Sequence, residues 1–362
     1  MKTTPTVPIP ARRAAARART LATVSSLAAA TALLATLSAC GGGGGGESPT
    51  PPPPAPTPSP SPAPSPAPTG PIAAQMTVPT PVGYDAERLA AFNRLNEIRL
   101  SAGLGMVAQN TLMDQAAQAH ADWMIANNSF VHDETAGTVG FTGAHFWDRD
   151  EAVGYVPVGG DEVMSSGVSG TAGVDLLVNM LYHRVGMLAF EPVDVGVGWS
   201  GAIAQSVRTP LVLDLTRPGS DALRGMGQSA QSNIQGVAIW PLDGAGGVPT
   251  HLGLESPNPV PSQDVSMLGT PVSLSVDRLQ TIEVSSFVVT NAATGAVVPT
   301  VLVTSQTDLN HQMPHSFVAL VPLAPLDIST FYRVAFSGRA VVFPSGETVA
   351  IVRSWSFSTR NF

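Results

Sequence analysis

The feature that most constrains this chain is a stretch that cannot pack. Gly41 to Gly46 is followed by a tract of Pro, Ala, Ser and Thr from Ser48 to Pro71. Glycine loses the most backbone entropy on ordering, proline lacks an amide donor, and the small side chains between them offer little apolar area to bury. The glycine run reads as flexible and the proline tract as extended polyproline II. At about 3.1 Å per residue, its roughly 24 residues span about 70 Å. This disordered stalk divides the chain into a short leader and about 280 residues able to form cores, which suggests two folded domains. It also concentrates much of the excess of Gly (35) and Pro (33) outside any fold.

The leader, residues 1–39, carries Lys2, Arg12, Arg13, Arg17 and Arg19 and no acidic residue, then an apolar Ala/Leu-rich run from Leu21 to Leu37. A basic region, a short apolar region and a small-residue exit make a secretory signal peptide. The apolar run is shorter than a membrane span usually needs, and no longer one follows Cys40. The exit Leu37-Ser38-Ala39-Cys40 resembles the bacterial lipobox, whose cysteine is lipidated, and Cys40 is the single cysteine of the chain. The expectation is a membrane anchor through Cys40, with outer membrane or cell surface as the address, since Gly41 rather than Asp follows it. One cysteine also excludes a disulfide framework and any cysteine-based zinc finger. The whole chain has 18 basic and 26 acidic residues, net -8; without the five leader cations the balance is -13. Such a balance argues against nucleic acid as a partner.

From Tyr84 to about Ser200 the pattern is helical. Asp85 can cap a helix running to Ser101 and closed by Gly103. Asn110 or Thr111 can cap a second, with Leu112, Ala116, Ala119 and Trp123 as its apolar stripe. A third is expected from Val174 to Leu188, and Val193-Asp194-Val195-Gly196-Val197-Gly198 reads as a strand. From about Thr270 to Phe362 short alternating runs take over, among them Val272–Val276, Tyr332–Phe336 and Trp355–Phe357. Turn signals separate them, as in a small β-sandwich. Glu255–Pro261 reads as the link between the halves.

No Gly-x-Ser-x-Gly, His-Glu-x-x-His or EF-hand pattern is present. With Cys40 committed to the anchor, histidines and carboxylates remain as candidate chemical groups. His120 beside the buried stripe of the second helix reads as a core histidine bonded to a backbone carbonyl. His145, near Trp147, is a loop residue, and His251, His311 and His315 read as surface residues. Asp148, Asp150 and Glu151 around Arg149 read as a solvated helix face.

In the first half an ordered set of short motifs resembles the CAP superfamily, also called SCP-like or cysteine-rich secretory/antigen 5/pathogenesis-related-1. The set comprises Asn96 and Arg99 before Gly103-Leu104, His120-Ala121, Phe130-Val131-His132, Arg149 with Gly154-Tyr155, Asp161-Glu162-Val163, Tyr182-His183-Arg184, and Asp194–Gly198. The resemblance implies a three-layer α-β-α sandwich whose cleft is lined by His132, Glu162 and His183, a set that in some relatives binds a divalent metal such as zinc. A fourth, acidic member on the helix before the last histidine has no counterpart: Asn179 lies near its place, and Asp175 is the nearest acid. In the second half, Pro325–Val334 and Trp355–Thr359 resemble bacterial Ig-like domains, which implies a spacer or binding module.

The expected class is therefore α+β. A signal peptide (1–39) precedes the stalk (40–78), a CAP-like domain (79–254), a linker (255–269) and an Ig-like all-β sandwich (270–362). The function implied is an envelope-anchored protein whose His132/Glu162/His183 cleft binds a small apolar or envelope-derived ligand. A metal-assisted hydrolase using the same set and a structural or adhesive surface protein are the alternatives. No complete catalytic motif decides whether it is an enzyme.

Overall fold

Asp85 opens the first helix of the computed structural model as its sequence predicts: its carboxylate accepts from the Arg88 amide (2.8 Å), and α1 runs over Ala86–Ser101. The structure describes residues 74–218 and 236–361. The leader, Cys40 and the tract up to residue 73 lie outside the described residues, as do 219–235 and Phe362. The C-terminal end of the expected stalk is already docked, since Gln75 donates to the carbonyls of Met106 and Val193 and Val78 packs on the core.

Asn110 caps α2, Thr111–Asn127, and α3 covers Phe146–Ala152. The expected single helix from Val174 to Leu188 is two helices, α4 (Gly170–Asn179) and α5 (Leu181–Met187). They break at Met180, whose ψ of 143° is extended. Met180 offers no capping side chain, so the start of α5 carries no local signal. It is capped from a distance: Glu255 accepts from the amides of Leu181 (2.8 Å), Tyr182 (2.6 Å) and His183 (3.2 Å), satisfying donors that a helix start leaves open.

Strands β1 (Ala108–Gln109), β2 (Pro157–Ser165), β3 (Asp194–Trp199) and β4 (Leu211–Pro218) form one sheet in the order β1-β3-β4-β2. Period-2 alternation sorts its residues. Val163, Val195, Val197, Leu211, Leu213 and Leu215 pack on α1 and α4, while Met164 and Val212 pack on α2. Gly196 and Gly198 also face α2, because the helix backbone leaves no room: a Cβ on Gly198 would sit 2.2 Å from the Ala117 carbonyl oxygen. The sheet thus lies between two helical layers.

Eight strands make up the rest: β5 (Ala238–Trp240), β6 (Ala245–Val248), β7 (Val272–Ser275), β8 (Gln280–Asn291), β9 (Thr300–Val303), β10 (Phe317–Pro322), β11 (Phe331–Val342) and β12 (Thr348–Thr359). They form two sheets, β5-β7-β10-β9 and β6-β12-β11-β8, whose facing side chains, Leu274 and Leu320 against Val334 and Phe336 among them, share one core. β11 alternates buried Tyr332, Val334 and Phe336 with exposed neighbours, as its sequence predicts. The structure departs from the expected boundary at residue 254. β5 and β6 join the sheets of the second half, because their backbone donors and acceptors are met by β7 and β12.

The two halves are packed together through α5. Leu181 shares a core with Leu252, Leu268, Phe317 and Val321. Tyr182 donates to Asp308 (2.5 Å). Arg184 is fully buried and donates to Pro271 O and Ser273 Oγ. The expected linker is consequently part of the packing, with Glu255 buried at its start.

Gly198→Ala should cost about 2 kcal/mol or more in urea unfolding, the scale of overpacking against rigid backbone. Gly201→Ala, with nothing near its Cβ position, should leave the midpoint unchanged.

Candidate functional site

The α2 side of the sheet carries a buried polar row. Glu162 on β2, Asp214 on β4 and Gly196 on β3 are cross-strand neighbours. Alternation turns Glu162 and Asp214 toward α2 and α3, under His120 of α2 and Arg149 and Asp150 of α3. His120, Arg149, Asp150 and Asp214 are fully buried. The expectation of a solvated face around Arg149 is thus corrected: α3 turns Arg149 and Asp150 inward onto the carboxylates of the sheet, while Asp148 accepts from the His145 amide (3.0 Å) at the helix start.

Glu162 is the centre of this row. Arg149 Nη2 donates to its Oε2, His132 Nδ1 donates to its Oε1 (2.8 Å), and His120 Nε2 lies 3.9 Å from the same oxygen. Burial works to raise the Glu162 pKa. The hydrogen bond from His132 and the charges of Arg149, His120 and His132 outweigh it and hold the carboxyl below its usual range. Arg149 also donates to the carbonyls of His132 (3.1 Å) and Ala144 (3.3 Å), so one guanidinium fixes both the carboxylate and the loop that carries His132. His120 joins Glu134 (3.0 Å) and the Val131 carbonyl (3.1 Å), the core role expected of it, and its burial lowers its pKa.

The carboxyl of Asp150 is buried without a hydrogen-bond partner among the described residues, and that of Asp214 faces the Glu162 carboxylate across the strands. Burial pushes Asp150 up to about 7, with the Glu162 charge adding and Arg149 opposing. Burial and the charges of Glu162 and Asp150 push Asp214 well above the carboxylate range. A buried carboxyl that lacks a partner stays neutral. The row therefore holds one firm carboxylate, Glu162, beside two acids whose protonated forms burial favours.

His132 is the outward end of the row: its side chain is 53% exposed, while Glu162 is 2% exposed. With Nδ1 turned to the carboxylate, Nε2 is left as the polar atom available to a partner, in an orientation fixed from below. The 128–145 segment that carries it exposes Phe130, Val131 and Phe141. His145 bonds Asp133 (3.0 Å) and lies 4.5 Å from the ring of the exposed Trp147.

The structure brings His132 and Glu162 together and leaves His183 elsewhere. His183 Nδ1 bonds Glu255 (3.1 Å) at the start of α5. Asn179 meets Trp240, and Asp175 pairs with Arg94. Two separate histidine–glutamate pairs do not make one donor set. Among the described residues no three His, Cys, Asp or Glu side chains are placed to hold a metal ion, so the arrangement does not fit a three-ligand zinc site. Sequence reasoning missed Glu134, Asp150, Asp214 and Glu255. Only Asp214 had a local signal, as the lone acid within the apolar strand Leu211-Val212-Leu213-Asp214-Leu215.

Residues 92–203 match the model of the cysteine-rich secretory protein family and form a CAP domain. Among solved structures, an extracellular protein containing an SCP domain from Bacillus anthracis matches at 21% identity and TM-score 0.30, over 35% of this chain and 39% of that one. The match thus takes in well under half of that protein. An outer surface protein of Borrelia burgdorferi matches at 13% identity and TM-score 0.31, over 35% of this chain and 89% of that one. No curated protein matches the chain.

Because Asp150 and Asp214 bind protons more tightly folded than unfolded, stability should fall as pH rises from about 4 through 7. Glu162 acts in the opposite sense only at lower pH, where its carboxylate is protonated. Asp214→Asn should raise Tm by several degrees at pH 8 and by much less near pH 4, read by thermal denaturation at both.

Proposed function

We propose that this chain is an envelope-anchored binding protein whose CAP domain takes up a small apolar or envelope-derived ligand at the His132/Glu162 site. The observation that carries this reading is the half-exposed imidazole of His132, held by a buried carboxylate that Arg149 itself holds. A polar group oriented before binding loses little freedom when the ligand arrives. The exposed Phe130 and Val131, next to it in the chain, provide apolar contact area of the kind that ligand sites use. Lipidation of Cys40, with the Gly/Pro stalk as spacer, would place the protein at the cell surface. No helix among the described residues is long and apolar enough to cross a membrane.

We read the C-terminal sheets as an Ig-like sandwich. Support comes from their two-sheet packing and from Tyr332, whose hydroxyl accepts from the Asp327 amide (2.8 Å) just upstream, as a tyrosine corner does. A purely structural or adhesive role fits less well, because it would leave the buried histidine–glutamate–arginine arrangement without a task. A metal-assisted hydrolase would require His183 to leave Glu255 and join His132.

Lipid and glycan arrays probed with the wild type and with His132→Ala test the binding reading. A signal that the variant loses supports it, and a wild type without any signal rejects it. Calorimetry with Zn²⁺ should show weak binding that is equal in wild type and His183→Ala; tight binding lost in the variant would restore the metal reading. Cys40→Ser should move the protein from the membrane fraction to the soluble fraction.

A further inference from the structure

A cavity of about 890 Å3 lies between the edge strand β2 with the end of α5 and the C-terminal sandwich, and forms a seam between the two halves. Its volume is in the range of small-molecule sites, about 300–1,000 Å3. One wall comes from β2 and the end of α5, with Asp161, Leu188 and Phe190. The other comes from the sandwich, with Val276, Leu279 and Phe317. Neither half alone encloses it, so the site exists only in the joined molecule.

The charged groups of this cavity differ in their pairing. Glu191 is bound by Arg278 (2.7 Å). Arg217 donates to the Val158 carbonyl (3.2 Å), and His315 bonds the Arg278 carbonyl (2.8 Å). Asp161 lines the cavity with no hydrogen bond or ion pair among the described residues. It is reachable by solvent, yet protein packed around it raises its pKa, with the charge of His132 opposing. Gly186 of α5 leaves the space this carboxyl occupies, since a Cβ there would lie 2.7 Å from the Asp161 Cβ. A carboxylate in a largely apolar cavity is stabilised by a cation that enters with it.

We propose that the seam cavity binds an amphipathic amine, its apolar body against Leu188, Phe190, Val276, Leu279 and Phe317 and its ammonium group on Asp161. The ammonium supplies three donors and a positive charge to the carboxylate. An anionic amphiphile of the same length would set its charge against Asp161, while Arg278 is occupied by Glu191 and Arg217 is already engaged at the Val158 carbonyl.

Calorimetry on the full-length chain with dodecylamine and dodecanoate, each below its micelle concentration, tests this. The expected result is one dodecylamine site per chain, with dodecanoate at least tenfold weaker. Asp161→Asn should weaken dodecylamine at least tenfold, and Ala189→Phe, which adds a ring at the cavity wall, should abolish it. If Ala189→Phe fails to fold, the near-isosteric Asp161→Asn decides alone. No dodecylamine binding, equal binding of both amphiphiles, or unchanged binding in Asp161→Asn would each overturn the proposal.

Discussion

Three arginine side chains, Arg99, Arg149 and Arg184, are sealed from solvent, and each holds parts of the molecule that are distant in sequence. Taking a guanidinium out of water is costly unless its donors meet acceptors in fixed positions. Arg99 reaches from α1 to the carbonyls of Gly105, Met187 and Ala189. Arg184 joins the α4–α5 corner, through Val178 and Asn179, to Pro271 and Ser273 of the sandwich. Burial lowers Arg99 to about 10 and Arg184 to about 9, so both stay charged at neutral pH. Each must keep its carbonyl partners, and the helices and the sandwich are held in register by that need. Arg149 differs in taking a carboxylate, and there the same constraint builds a site.

Strand β2 shows how one segment serves two environments. Glu162 and Asp161 are adjacent, and alternation sends them to opposite faces of the sheet. Glu162 meets Arg149 and two histidines and is held as a carboxylate. Asp161 meets α5 and the seam cavity, where the protein packed around it raises its pKa from the ordinary value. The same residue chemistry, one position apart, is thus shifted in opposite directions. The irregular pairing of β2 at Gly159-Gly160 allows close packing on β4, since a Cβ on Gly160 would lie 2.4 Å from the Leu215 carbonyl oxygen.

Much of the local architecture was legible. The Asp85 and Asn110 caps, the Val195/Val197 alternation with its glycines, and the alternating strand at Tyr332 are signals carried by residues a few positions apart. The pairing of His132 with Glu162 was approached through motif order, although spacing alone does not show that residues 30 positions apart come within 2.8 Å. Arg149 and Asp150 were misread as a solvated face, because a charged run looks the same in sequence whether a carboxylate row lies beneath it or water does.

What the sequence determined by itself was the division of the described residues into a helical half and a β half. That division follows from composition and short-range periodicity. What only the tertiary structure decided was which charges are buried together and where the halves meet. α5 begins at Leu181 because Glu255 caps it from far along the chain, and the same carboxylate holds the His183 ring. Capping, desolvation and ion pairing depend on distance in space, and contacts across dozens of residues leave no periodic trace in the order of the amino acids.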